Sequence, residues 1–359
     1  MKKTPLFSEV LRNETEKAIR LADEADVKGL HDFLFAEPQK PMLFVGSGGM
    51  QGHYAGLLYE QNAGIARCIT PFTLRSMSDD TLRGCRCLLM SAGGKNNDAK
   101  DATKRMMEIN PEHTAAFTFW ENEENIFYKK MDKSKVFYFP NTGLLTNGFI
   151  SGPKKFYREA LFYKAFTDES AAQAKQMTFN FEPSHCYQYE LNNSNGSLTP
   201  LTSIKHFLVL YGGYGAPVAP ELESMMAETG LASVQVCDYR NFCHGRFIFA
   251  SNHTRHQKKN HTLSESDAAV ILLVSPDENN IATNIRKTVP NGDWQVLPNE
   301  TPIITIKTDH DSPLASIDLS VKANVFFADL AEKYHGFNPL NPPNYGGVRK
   351  EYPMGGLRW

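Results

Sequence analysis

Residues 207–246 read FLVLYGGYGAPVAPELESMMAETGLASVQVCDYRNFCHGR. An apolar run, Phe207 to Leu210, ends in a glycine cluster at Gly212, Gly213 and Gly215. Pro220 suits a helix start and Gly230 the position just past a helix end, so a short helix is predicted between them. Ala232 to Cys237 alternates as a strand does, and it leads into a polar loop that carries His244 and Arg246. The unit is strand, glycine turn, helix, strand, with acids on the helix and an imidazole after the second strand. Such a unit can deliver a carboxylate and an imidazole to one cleft.

The same alternation occurs earlier in the chain. Phe7 to Phe35 has a helical apolar stripe, and Pro38 and Pro41 then break the chain. Met42 to Val45 is an apolar strand that ends in Gly46-Ser47-Gly48-Gly49, followed by a helical Tyr54 to Gln61 and a strand-like Cys68 to Thr70. Asp79 to Arg83 is a polar connection. Arg86 to Met90 is another strand and runs into Ser91-Ala92-Gly93-Gly94-Lys95-Asn96-Asn97-Asp98, after which Ala99 to Ile109 is helical. Thr114 to Phe119 and Val136 to Phe139 supply two more strands, and Phe156 to Thr167 a helix. After the polar run Asn192 to Ser197, the pattern restarts at Phe207. Its later strands are Ala268 to Val274, Trp294 to Val296 and Ile303 to Thr308, before a helix from Leu314 to Lys333. Strands alternating with helices through short loops predict parallel sheets covered on both faces, doubly wound by right-handed crossovers. The fold class is α/β, two flavodoxin-like sheets in tandem. We expect a first domain over 1–170, including the N-terminal helix, and a second over 171–359, including an irregular tail.

Bulk composition narrows the function classes. With 359 residues the chain can hold two cores, and 41% hydrophobic and 22% charged residues are ordinary for a globular protein. A net charge of −2 argues against broad nucleic-acid or anionic-membrane binding. No apolar run reaches the roughly 20 residues that span a bilayer. Lys2 and Lys3 lead into Glu9, Arg12, Asn13 and Glu14, leaving no room for a secretory apolar segment, so a cytoplasmic location is expected. The six cysteines form no CxxC pair and read as reduced thiols, most of them in strand-like surroundings. His253, His256 and His261 lie among Arg255, Lys258 and Lys259 with no acidic or cysteine ligand nearby, which reads as an anion-facing or solvated loop rather than a metal site.

The first glycine turn does not fit a dinucleotide site. That fingerprint needs glycine where Gln51 stands and an acid at the end of the second strand, near Pro71, where none occurs. No cofactor is expected. The loop from Ser91 to Asp98 suits a different anion, because backbone amides at a glycine-rich turn and the following helix start can hold a phosphate. Ser91 and Asn96 would add donors and Lys95 charge. Equally, a tight strand-to-helix turn wants Gly and Asn for itself, and Asp98 favours a helix N-terminus.

Taken together, these stretches resemble the double sugar-isomerase-domain family, including the isomerase half of glucosamine-6-phosphate synthase and free-standing deglycases of phosphorylated sugar–amine adducts. Three places carry the resemblance. Gly46-Ser47-Gly48-Gly49 with Tyr54-Ala55-Gly56 is similar to the family's first glycine turn and helix. Lys164-Ala165-Phe166-Thr167 is similar to its linking helix. Glu228 precedes His244-Gly245 by 16 residues, the family's interval between a helix glutamate and a histidine-glycine pair, and Glu221 lies seven residues before Glu228. The resemblance implies that Glu228 shuttles a proton between adjacent carbons of an open-chain sugar and that His244, often donated by a partner subunit, opens the ring. It also implies a homodimer acting on a phosphorylated sugar or sugar–amine adduct. The substrate would be held by Gly46, Ser47, Gly48, Gly49, Ser91, Gly93, Gly94, Lys95, Asn96, Glu221 and Arg246. The chemistry explains the residue types: moving a proton beside a carbonyl needs a base tuned by partial burial, and ring opening near neutral pH suits imidazole. Without the family pattern, Glu221 and Glu228 fit a solvated pair on one helix face, and His244 an ordinary loop histidine.

The chain also departs from the family. Two further hydroxyl positions of the phosphate loop are Gly93 and Asn96, and the serine after the first glycine turn is Met50. The lysine four residues after Glu221 is Met225, the linking-helix glutamate falls at Tyr157 with Glu159 nearby, and Arg246 replaces a proline. The C-terminal lysine motif has no clear counterpart beside Arg349 and Lys350. These changes weaken the inference of a plain hexose 6-phosphate; backbone amides could still hold a phosphate with Lys95 or Arg246 replacing the lost donors, and a larger or differently charged ligand would also be compatible. With no glutaminase domain ahead of the first helix, the expected reactions are isomerisation, deamination or deglycation. A non-catalytic sugar-phosphate sensor is the alternative.

Overall fold

The computed structural model describes residues 4–144, 150, 152–167, 177–192, 198–248, 267–286, 297 and 301–343. The chain forms two compact units. One is built on Asn13–Asn147 and Ser151–Thr178, the other on Phe179–Pro343 with Met1–Arg12.

The first unit holds five parallel strands, β1 (Met42–Val45), β2 (Ala66–Ile69), β3 (Arg86–Met90), β4 (Thr114–Thr118) and β5 (Val136–Tyr138), in the order β2-β1-β3-β4-β5. Its two faces differ in chemistry because side chains alternate along each strand. Leu43, Val45, Cys87, Leu89 and Ala116 form a largely aliphatic layer with Leu74, Met106 and Phe127. The opposite face is aromatic: Phe44 meets Tyr59 and Phe162 at ring separations of 6.1 and 6.2 Å, and Phe117 stacks on Phe162 at 5.2 Å. The helices of this unit are α1 (Phe7–Glu24) from Asn13 onward, α2 (Lys28–Phe35), α3 (His53–Asn62), α4 (Pro71–Ser76), α5 (Asp79–Arg83), α6 (Asn97–Ile109), α7 (Ile126–Lys130) and α8 (Gly152–Thr167). The predicted helix over Phe7 to Phe35 is two helices, because the Asp26 carboxylate accepts the Lys28 amide at 2.9 Å and starts a new one. Lys164 of α8 donates to the Asp23 and Ala25 carbonyls at 2.5 and 2.8 Å, satisfying acceptors that the end of α1 leaves open. Asp79 to Arg83, read as a connection, is the short helix α5, capped by the Ser78 hydroxyl.

The second unit repeats the topology. Its strands are β6 (Gln188–Leu191), β7 (His206–Tyr211), β8 (Ser233–Asp238), β9 (Ala268–Val274) and β10 (Pro302–Lys307), in the order β8-β7-β9-β10-β6. The four strands from β7 onward are parallel and stand in the order of β2-β1-β3-β4, while β6 pairs antiparallel with β10 at the edge. The second sheet is therefore mostly, not wholly, parallel. The flanking helices include α9 (Val218–Glu228), α10 (Asn279–Arg286) and α11 (Leu314–Asp329). The strand expected over Trp294 to Val296 lies outside the described residues.

A charged group is buried at the base of the first sheet. Arg86 opens β3 at 1% exposure, donates to the Leu34 carbonyl at 3.0 Å and lies 4.4 Å from the Phe33 ring centroid. Burial pulls its proton affinity down, and the hydroxyl of Tyr59 and the carboxylate of Glu37 act against that. Removing such a group leaves a cavity and a buried Leu34 carbonyl without its donor. Arg86→Ala is expected to lower unfolding free energy by about 3 kcal/mol in urea melts.

Candidate functional site

The order β2-β1-β3 reverses direction between β1 and β3, and in such sheets a crevice opens at the carboxyl ends of the two strands. The loops that the sequence singled out stand there. Gly46 follows β1 in a turn so tight that a Cβ on it would lie 2.1 Å from the Met50 carbonyl oxygen. Arg158, buried on α8, donates to the Gly49 carbonyl and holds this turn from behind. No local signal in the sequence marks it, because Lys154, Lys155 and Glu159 stand beside it on the same helix.

After β3, the buried Ser91 hydroxyl accepts the Gly94 amide at 3.1 Å. Gly94 has φ +59°, and a Cβ there would meet the Asn125 side-chain oxygen at 1.9 Å. Asn125 is fully buried. Its oxygen accepts the Phe127 amide at 3.0 Å, while its nitrogen donates to Thr118 Oγ1 at 3.1 Å and to the Trp120 carbonyl at 2.8 Å. Asn96 caps α6 by accepting the Ala99 amide at 2.8 Å. Ser47 donates to Asp98 in the first turn of α6 at 3.4 Å, joining the two glycine loops.

The result is a cleft of about 280 Å³ whose polar lining includes Ser47, Ser91, Lys95, Asn96 and Asp98, with Gly93 and Trp120 at one side. The amides at the start of α6 favour an anion. Its charges are already partly committed, however. Lys95 Nζ lies 2.6 Å from Glu124 Oε2, and this hydrogen bond holds the Glu124 carboxyl below the usual carboxylate range. Asp98 adds a carboxylate to the wall. Gly46, Gly48, Gly49 and Gly94 do not line the cleft; Gly46 and Gly94 are required by close approaches, whereas a Cβ on Gly49 would meet nothing within 4 Å. Gly48 also has positive φ, +53°, but a Cβ there would meet nothing within 4 Å.

The remaining predicted residues belong to the second unit. Glu221 in the first turn of α9 is 9% exposed. Glu228, the last residue of α9, is exposed and accepts the Ser224 hydroxyl at 2.7 Å, so the described residues do not give it the partial burial expected of a proton-shuttling base. Met225 packs inward, and Gly230 ends the helix with φ +66°. Asp238 builds the next turn by accepting the Arg240 and Asn241 amides, both at 2.9 Å, and the Asn241 amide foremost holds its carboxyl below the usual range. His244 and Arg246 follow on an exposed turn, with Gly245 at φ +128°. Cys243 beside them is exposed, while Cys85, Cys87, Cys186 and Cys237 are buried. His253, His256 and His261 lie outside the described residues. Among the described residues, no helix is long and apolar enough to cross a membrane.

The sequence reading missed one residue at the second sheet's own reversal point, between β7 and β9. The buried Glu278 carboxylate accepts the Ser275 amide at 3.0 Å and the Ser275 hydroxyl, and a Cβ on Gly212 would lie 2.7 Å from Glu278 Cγ. The signal was present, since Ser275-Pro276-Asp277-Glu278 spells a capping box.

The geometry separates two glycines that look alike in the sequence. Gly48→Ala should cost about 1 kcal/mol, from positive φ alone, whereas Gly94→Ala must also displace Asn125 and should cost at least about 2 kcal/mol more. Chemical denaturation of the two variants checks the difference.

No family model matches the chain, and no curated protein does. Solved structures do. Glucosamine-6-phosphate deaminase from Thermotoga maritima is 12% identical with a TM-score of 0.62, over 94% of this chain and 97% of that one. Tagatose-6-phosphate ketose/aldose isomerase from Escherichia coli is 14% identical with a TM-score of 0.59, over 94% and 96%. The C-terminal domain of glucosamine-fructose-6-phosphate aminotransferase from Francisella tularensis is 12% identical with a TM-score of 0.56, over 92% and 97%. With two β2-β1-β3-β4-type sheets in tandem and these neighbours at nearly full length, the chain has the double sugar-isomerase-domain fold of the phosphosugar isomerases.

Proposed function

We propose that the chain is a phosphosugar enzyme of the isomerase, deaminase or deglycase type, acting in the cytoplasm on an open-chain sugar phosphate or its amine adduct. The observation that carries this reading is the cleft at the β1/β3 reversal, where two serine hydroxyls meet the amide-bearing start of α6. The fold, and the phosphosugar substrates named for its structural neighbours, support the same class. In this reading the phosphate is held by the Ser91–Asn96 turn with help from Ser47. Proton transfer is assigned to Glu228 and ring opening to His244, on their types and spacing. Glu228 takes a proton from the carbon beside the carbonyl and returns it to the former carbonyl carbon; where the first carbon bears an amine, this leaves an imine, which water hydrolyses to a carbonyl with release of the amine. A base in this role works best when water is excluded, so a second copy of the chain is assigned the cover that the described residues do not give Glu228.

A second reading, a sugar-phosphate sensor without catalysis, is favoured by the exposure of Glu228 and the inward packing of Met225 at the family's lysine position. Hydrogen exchange at carbon 1 or 2 across a panel of sugar phosphates and their amine adducts, followed by NMR in heavy water, separates the two. Exchange is expected, and Glu228→Gln should slow it by about 100-fold or more, with calorimetric affinity within about threefold of wild type. Binding without exchange across a broad sugar-phosphate panel would leave the sensor reading in its place. His244→Gln should slow reaction of ring-closed substrates by about tenfold or more while sparing analogues unable to cyclise.

A further inference from the structure

Gly93 stands where the family resemblance places a phosphate-binding hydroxyl, and the structure gives a reason for the loss. A Cβ on Gly93 would lie 3.3 Å from Cε3 of Trp120, with two further ring atoms at 3.7 and 3.9 Å. The indole occupies the side of the cleft that a residue 93 side chain would otherwise fill, and it lines that cleft while 43% exposed. The backbone that carries it is anchored. The Trp120 carbonyl accepts from buried Asn125 at 2.8 Å, and Lys95 Nζ lies 5.8 Å from the ring centroid while paired with Glu124. Much of the remaining wall is carbon and sulfur, including Met50, Met90, Pro71 and Phe127. A bare dianion gains little from such a wall, whereas a ligand with a ring or apolar face gains from stacking on a fixed aromatic.

We propose that Trp120 is a specificity-determining residue: the cleft accepts an anion that also carries a flat or apolar face, with that face on the indole and the anionic group toward the α6 amides and Lys95. A hydroxyl donor has been exchanged for an aromatic platform, and Gly93 makes room for it. This deepens the proposed function by naming the substrate class, and it rests on anion binding in the same cleft.

The test compares inorganic phosphate with phenyl phosphate by calorimetry, on the full chain and on Trp120→Ala, Trp120→Phe and Gly93→Val. Wild type should bind phenyl phosphate about tenfold more tightly than inorganic phosphate. Trp120→Ala should erase that preference without weakening inorganic phosphate, Trp120→Phe should keep most of it, and Gly93→Val should lose it by displacing the ring. Equal affinities in wild type, a preference that survives Trp120→Ala, or no binding of either anion would overturn the proposal. A parallel loss of both anions in Trp120→Ala would reduce Trp120 to a loop support and overturn it too. Should Trp120→Ala not fold, the Phe and Gly93→Val variants decide by the same preference. An indole-dependent preference without proton exchange on any sugar phosphate would remove the enzymatic reading and leave this one standing. Exchange without the preference would do the reverse.

Discussion

The carboxamide of Asn125 sits where a side chain on Gly94 would have to be, and the cleft depends on that close approach. One buried amide group binds the loop after β4 through Thr118 and Trp120, starts α7 through Phe127, and leaves room only for a glycine in the loop after β3. The Gly94 carbonyl in turn accepts the Ile126 amide at 3.1 Å. Two loops that would otherwise vary independently are thus fixed to each other. A fully satisfied buried polar group specifies geometry in a way that apolar packing does not. It is this arrangement that turns the start of α6 and the Trp120 ring toward the same space.

Within that space the electrostatics are mixed. The start of α6 offers partial positive charge, while Asp98 in its first turn partly cancels it and is tied to Ser47. Lys95 carries the full positive charge but spends it on Glu124, with both side chains largely in solvent. An exposed pair of this kind is worth little, so a ligand anion can take Lys95 from Glu124 at small cost. The cleft therefore has a weak resting field and a cation that can be recruited. This differs from a rigid phosphate cradle, and it agrees with the loss of hydroxyl-bearing side chains at Met50 and Gly93.

Much of the fold was legible because its central strands are short apolar runs bounded by turn-forming residues. Met42–Val45, Arg86–Met90 and Ala268–Val274 coincide with the sequence reading, as expected of strands buried on both faces. The α9 helix begins at Val218, two residues before the Pro220 that marked its start, because a proline in the first turn loses no intrahelical hydrogen bond wherever in that turn it stands. Edge strand β6 was hidden by its polar residues Gln188 and Glu190, which an outer antiparallel strand tolerates on its open face. The glycine loops were recognisable, but what shapes them was not. Asn125, Arg158 and Trp120 act over separations of roughly thirty to a hundred residues from the loops they hold, and no local pattern reports such a contact.

The two sheets share a strand order but not what stands at the reversal point. In the first unit the crevice is open, and a glycine turn leads from β3 into the capped start of α6. In the second, the loop after β9 carries Glu278 back over Gly212 and Gly213, and Ser275 supplies the hydrogen bonds that a bound anion would otherwise receive. A carboxylate belonging to the chain thus satisfies the donors that an external anion would seek, and displacing it would strand a buried charge. The glycines at Gly212 and Gly213 are then explained by the nearness of Glu278, with no ligand required. A glycine cluster after a strand records a close approach to the backbone or a positive φ, and by itself implies no ligand. In one half of this chain what comes close to the second glycine loop is an amide and an indole, at the edge of an open cleft; in the other it is the chain's own carboxylate.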